Sequence, residues 1–237
     1  MLRINRYIAQ CGIASRRSSE AIIKSGRVSV NDQVETNLSR QIDPSKDVVR
    51  LDGKIIEPHR NNRYVLLNKP KDYVTTASDE RGRKTVFDLV RLDQRLFSVG
   101  RLDLNSEGLL LLTDDGELAN RLMHPRYKVD KIYRVRLNRK FDPNDLSRLH
   151  QGIVLEDGLT APCKAGFYCQ NIDRIEIVLR EGRNRQVKRM MEALGYKVKS
   201  LKRVRFGPIA LGEVARGKWR YLSAAEVKKL KETVGLS

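Results

Sequence analysis

The chain has 237 residues, 40% of them hydrophobic, and carries 47 lysines and arginines against 29 aspartates and glutamates, a formal charge of +18. Such a length accommodates one or two domains, and the apolar content suffices for a core, so disorder is not expected. No apolar run approaches the ~18 residues of a membrane helix, and the terminus MLRINRYIAQ lacks a signal-peptide core, so a soluble cytoplasmic protein is expected, not a membrane one. The three cysteines, Cys11, Cys163 and Cys169, form no CxxC pair, and the three histidines are scattered. Neither a disulfide framework nor a metal site follows from them. The positive charge is clustered: residues 183–205 hold nine basic and one acidic residue, and residues 1–30 hold six and one. Clustered cations release condensed counterions from phosphates, so the expected partner is a nucleic acid rather than anionic lipid.

Residues 1–58 read as a separate small module. Ile4, Ile8 and Cys11 recur at helical spacing, and Gly12 can end that helix. Ser15 is a good cap for a second helix running to Lys24, which Gly26 can stop. Arg16 and Arg17 then occupy its first turn, where the helix dipole disfavours them. An external anion accounts for that placement better than folding does. A strand at 27–30, including Arg27, turns through Asn31-Asp32, and a second hairpin spans 48–56 around Asp52-Gly53. Two helices followed by short strands, with SRR opening the second helix and GRVSVND after it, resemble the RNA-binding module named after ribosomal protein S4. That resemblance implies RNA contacts from Arg16, Arg17 and Arg27. The polar stretch 59–62 reads as a linker.

The second domain, 63–237, opens on a strand at 64–68 closed by Lys69-Pro70. Lys69, Arg81 and Arg83 are candidate phosphate contacts. A short helix at 85–90 and a strand at 96–99 lead into GRLDLNSEGLLLLTDDG, residues 100–116. Its four leucines, bounded by turn residues, read as a strand buried on both faces, with Arg101 and Asp103 in the loop that enters it. A helix at 117–123 ends at His124-Pro125. Residues 131–137 alternate, so Tyr133, Val135 and Leu137 share a face and by pattern Tyr133 belongs to the core. Asp142-Pro143 should cap a helix ending near Gly152, and Glu156-Asp157-Gly158 make a turn. After a strand at 175–179 comes EGRNRQVKRMM, in which Val187, Met190, Met191 and Leu194 form one apolar helical face with Lys188 at its rim. Strands at 198–201 and 204–209 follow, and Trp219-Arg220-Tyr221-Leu222 ends the domain. Ser223 and Glu226 form a capping box for a last helix.

Read together, YVLLNKP, GRLDLNSEGLLLLTDDG, KIYRV and EGRNRQVKRMM resemble, in family order, the RsuA family of pseudouridine synthases, which isomerise chosen uridines in ribosomal RNA. The resemblance implies that Asp103 is the catalytic residue and that Tyr133 stacks on an extruded target base. It implies a basic partner for Asp103, falling on Lys188 with Arg183 as the alternative, and an assisting role for Arg101. Arg183, Arg185 and Arg189 are then further RNA contacts. The implied fold is α+β: a small helical and β RNA-binding domain, then a mixed, mainly antiparallel sheet with flanking helices. The isomerisation neither adds nor removes atoms, so no cofactor is expected, in keeping with the lack of a glycine-rich nucleotide loop. That lack also disfavours a methyltransferase. A non-catalytic ribosome-assembly factor would not need Asp103, Tyr133 and Lys188 together. Asp103 could act as a nucleophile on sugar or base, or as a base at the ribose 2′ carbon. The stretches around Asp103 and Arg183 look nearer the large-subunit enzymes than the small-subunit one. A monomer acting on ribosomal RNA is expected.

Overall fold

The computed structural model describes residues 1–59 and 61–236, so Arg60 of the expected linker and the terminal Ser237 lie outside the described residues. The chain divides into two units. One comprises Met1–Arg63, Leu92–Phe97 and Thr113–Gly116; the other comprises Tyr64–Arg91, Ser98–Leu112 and Glu117–Ser237. The first unit therefore runs past residue 58 and draws in two stretches from later in the chain. Asp114 explains part of this: its Oδ1 accepts from Arg63 N at 2.8 Å, and its other oxygen accepts from Gln94.

The first unit contains strand β1 (Leu2–Arg3), helices α1 (Ile4–Gln10) and α2 (Arg16–Lys24), and strands β2 (Val28–Val30), β3 (Gln33–Val34), β4 (Gln41–Ile42), β5 (Val49–Leu51) and β6 (Lys54–Ile55). The Ser15 hydroxyl accepts from Ser18 N at 3.0 Å and so fixes the start of α2. Ile4, Ile8, Ile23, Val28, Ile42 and Val49 make the core. The hairpins turn on residue pairs with positive φ, Asn31-Asp32 and Asp52-Gly53, as two-residue loops require.

The second unit holds strand β7 (Tyr64–Lys69), the end of strand β8 (Phe97–Ser98), all but the last residue of strand β9 (Glu107–Thr113), all but the first residue of helix α3 (Gly116–Met123), strand β10 (Lys131–Leu137) and helix α4 (Asp145–Gln151). It continues through strands β11 (Val154–Leu155), β12 (Gly158–Leu159), β13 (Lys164–Phe167) and β14 (Arg174–Leu179), then helix α5 (Gln186–Ala193). Strands β15 (Val198–Phe206), β16 (Ile209–Ala210) and β17 (Trp219–Tyr221) and helix α6 (Ala224–Thr233) complete it. The main sheet is ordered β13-β14-β10-β15-β9-β7-β17. β10 is antiparallel to both β14 and β15, whereas β15 and β9 are parallel. The fold is α+β, with a mixed and mainly antiparallel sheet.

The four leucines of β9 are buried, as a central strand demands. Gly108 precedes them at φ +106°, and a Cβ there would lie 2.2 Å from the carbonyl oxygen of Arg203. Only glycine lets β9 approach β15 this closely. Two expectations need correction. The separate strands at 198–201 and 204–209 are one nine-residue strand as far as Phe206, followed by the short β16. The Lys202-Arg203 pair reads as a break, yet Arg203 is only 2% exposed and its Nε donates to Leu109 O at 2.8 Å. A register shift opposite Ile132 and Tyr133 absorbs the irregularity. Helix α4, expected to start at Asp142-Pro143, begins instead at Asp145 with Asn144 at its cap. Asp142 Oδ1 accepts from Asn144 N, making a turn ahead of the helix.

Candidate active site

The loop before β9 is pinned from within. Thr75 Oγ1 donates to Leu102 O at 2.8 Å and accepts from Leu102 N at 3.3 Å. Asp72 N donates to Leu104 O, and Ser106 N donates to Asp103 O, closing a turn. Beneath them sits Lys69, fully buried at 0% exposure. Its Nζ donates to the carbonyls of Ser106 (2.9 Å), Pro70 (3.0 Å) and Asp103 (3.1 Å), with Leu104 at 3.5 Å. Burial pushes its pKa down to about 8, against the pull of the nearby Asp103 charge. Lys69 was expected as a phosphate contact. Its ammonium is instead consumed by backbone oxygens and cannot reach RNA.

With its main chain held in this way, Asp103 lines an open cavity of about 650 Å³ and its side chain keeps 36% of its exposure. Lys188 lines the same cavity, with its Nζ 3.9 Å from Asp103 Oδ2 and its side chain 15% exposed. That separation is an ion pair at the limit of contact, not a hydrogen bond. Helix α5 sets it: Val187, Met190 and Met191 are buried, which leaves Lys188 at the edge of the apolar face. Arg101 is exposed and lines the cavity, as do Arg81, Arg83 and Arg185. Arg185 stands just before α5 at φ +48°, a left-handed conformation costing roughly 1–2 kcal/mol for a non-glycine residue. A cation held in that conformation ahead of a helix is disfavoured on two local counts, and such outliers cluster at functional sites.

Other expected site residues lie elsewhere. Arg183 donates to Gly158 O and Leu159 O and pairs with Asp157, and Arg189 NH2 reaches Asp157 Oδ2 at 3.0 Å. Both guanidinium groups hold the β11–β12 hairpin, so they are spent inside the fold rather than offered to RNA. Arg183, the alternative partner for Asp103, points its charge at Asp157 instead. Tyr133 is half-buried on β10, packs against the core cluster of Val135 and Leu137, and does not line the Asp103 cavity. Arg83 makes a close ion pair with Asp79, whose carboxyl it holds down at about 2. In the first unit, Arg16 and Arg17 are exposed, while Arg27 pairs with Asp52 at 2.5 Å.

Thr75 and the true place of Lys69 were missed by sequence reasoning. A threonine in an exposed-looking loop and a lysine beside a proline carry no local signal of burial. The arrangement places the Asp103 carboxylate, fixed through its own backbone, beside the Lys188 ammonium on an open cavity that four arginines line together with Asp79 and Glu80. Such a carboxylate can serve as a nucleophile or as a general base toward a polyanionic substrate. Among the described residues no group of His, Cys, Asp and Glu could hold a metal, and no helix is long and apolar enough to cross a membrane.

Comparison with known proteins agrees with this picture. Residues 63–193 match the RNA pseudouridylate synthase family, and residues 2–49 match the S4 domain. An uncharacterized RNA pseudouridine synthase of Aquifex aeolicus is 46% identical, over 99% of this chain and 96% of its own length. A Bacillus subtilis protein named ribosomal large subunit pseudouridine synthase B is 42% identical, over 98% of this chain and 96% of its own. A crystal structure of a pseudouridylate synthase superposes with a TM-score of 0.71 at 31% identity, covering 97% of this chain and all of that one. A match over more than half of the sequence, joined to relatives similar along their whole length, establishes that this chain belongs to the RNA pseudouridylate synthase family, isomerases that act on RNA.

Proposed function

We propose that this protein converts a uridine of ribosomal RNA to pseudouridine, with Asp103 as the catalytic carboxylate and large-subunit RNA as its substrate. The observation that carries the assignment is the placement of Asp103, open to a basic cavity and 3.9 Å from Lys188. The reaction breaks the bond between N1 and the ribose, turns the uracil and rejoins it through C5, whose hydrogen leaves as a proton while the freed N1 takes one up. The carboxylate acts as nucleophile on sugar or base, or as base at the ribose 2′ carbon. Lys188 places an opposite charge 3.9 Å from that carboxylate, beside the reacting atoms. A paired uridine is out of reach, so the target is flipped or already unpaired. Arg101 assists at the mouth of the cavity. Arg16 and Arg17 of the 1–58 module bind RNA backbone, raising the effective concentration of the catalytic contact.

The large-subunit preference is supported by the name of the Bacillus subtilis relative. Its test uses transcripts of both ribosomal RNAs labelled with tritium at uridine C5, since each isomerisation releases one tritium. Release from the large-subunit transcript alone is the expected result. Release from the small-subunit transcript alone would overturn the substrate, and release from neither would overturn the assignment to ribosomal RNA.

A further inference from the structure

Residues 74–85 form a loop closed at its neck. Val74 N donates to Lys84 O, and Val86 N donates to Val74 O, making a short parallel bridge. The tip is fastened by Asp79, which accepts from Arg83 N at 2.9 Å and from its guanidinium at 2.6 Å. One side of this loop walls the Asp103 cavity. Its other side walls a second cavity of about 690 Å³, and Ser78, Asp79 and Arg83 border both. The second cavity falls within the ~300–1,000 Å³ range of sites that hold small ligands.

The charges around it are unequal in availability. Of its two carboxylates, Asp79 is neutralised by Arg83, whereas Asp88 is held by the neutral donors Thr85 N and Oγ1 and keeps its charge, so the two remaining cations exceed it by one. Lys84 and Arg91 line the same cavity, are exposed, and enter no ion pair among the described residues. Tyr73 lines it half-buried. Two available cations beside one aromatic ring fit a nucleotide, whose phosphate needs the charge and whose base needs the plane.

Resting on the proposed function, we infer that the 74–85 loop is a partition with a nucleotide on each side. The target uridine enters the Asp103 cavity, and an adjoining nucleotide of the same strand enters the second, with phosphate on Lys84 and Arg91 and base against Tyr73. The loop thereby separates the two bases and holds the strand open where the target leaves it.

The test measures affinity of the full chain for a large-subunit ribosomal RNA transcript as a function of salt. The double variant Lys84→Gln/Arg91→Gln should lower the slope of log affinity against log salt by about 1.4, two single-strand phosphate contacts at ~0.7 each. Lys228→Gln on α6, an exposed lysine, removes one charge rather than two and should leave the slope within ~0.3, where a net-charge effect would lower it by ~0.7. Tyr73→Ala should weaken binding roughly 5- to 100-fold, and Tyr73→Phe should restore it. An unchanged slope in the double variant, or an equal fall per charge removed in Lys228→Gln, overturns the inference. Both readouts are independent of turnover. Tritium release with an unchanged slope sinks the partition alone, whereas a reduced slope without release sinks the substrate assignment and leaves the nucleotide site standing.

Discussion

The two faces of the 102–106 loop use the same residue type in opposite ways. Inside it, Lys69 is fully buried and satisfied by backbone carbonyls, including those of Asp103 and Ser106. Outside it, Lys188 stands at the edge of an open cavity and, among the described residues, pairs with the carboxylate at 3.9 Å. A buried ammonium ringed by carbonyls organises backbone and has little left to give a substrate. An ammonium at a cavity edge contributes little to stability but acts on charge where chemistry occurs. Lys69 thus holds the backbone at residue 103, and under the proposed function Lys188 supplies the charge beside its carboxylate.

That division can be broken from the inside first. Gly108→Ala should have the largest effect, because its Cβ would meet Arg203 O at 2.2 Å in a backbone conformation that already favours glycine. The expected loss is roughly 3–5 kcal/mol, read from urea unfolding, with activity falling as β9 is pushed off its seat. Lys69→Met comes next, at roughly 2–4 kcal/mol, because it strands several buried carbonyls at once.

The same residue gives a pH signature. Its pKa is about 8 in the fold against 10.5 for an ordinary lysine, so between those values the unfolded chain holds a proton that the folded chain has lost. Wild-type stability from this group therefore rises with pH across that window, and the burial cost is fully present below it. The difference between wild-type and Lys69→Met stability curves isolates this slope. It also cancels the opposite contributions of Cys11 and Cys163, whose thiols burial pushes up to about 12 and about 11.

On the outer face, Lys188→Met should lower turnover about 100-fold. Its unfolding free energy should stay within ~0.5 kcal/mol of wild type. A stability loss as large as that of Lys69→Met would erase the distinction between the two lysines. The smallest effect belongs to the first unit, where Arg16→Ala/Arg17→Ala should reduce the salt slope of RNA binding by about 1.4–1.8. Turnover at saturating RNA is the companion measurement, and a loss there as deep as that of Lys188→Met would move those arginines into the chemistry.

Local signals were legible in the sequence wherever the cause was local. Ser15, Ser223 and Glu226 mark helix starts, Asn31-Asp32 and Asp52-Gly53 mark hairpins, and the four leucines mark a strand buried on both faces. These follow from capping, turn geometry and periodicity within a few residues. What failed depended on distant partners. The interior place of Lys69 requires carbonyls more than thirty residues away, and the commitment of Arg183 and Arg189 to Asp157 requires a separate hairpin. A charged pair inside a strand looks like an interruption, so the continuity of β15 through Arg203 was hidden until its bond to Leu109 O was seen. The candidate site lay between these cases. Asp103 and Lys188 are 85 residues apart, and only the resemblance to a family joined them before the structure put them at 3.9 Å.

Asp103→Asn removes the charge of the residue 103 carboxylate with almost no change in volume. Single-turnover tritium release from large-subunit transcript, measured beside equilibrium RNA binding, separates chemistry from affinity. The expected result is release no faster than without enzyme, with RNA affinity within a few-fold of wild type. Release within tenfold of the wild-type rate would contradict a catalytic role for this aspartate.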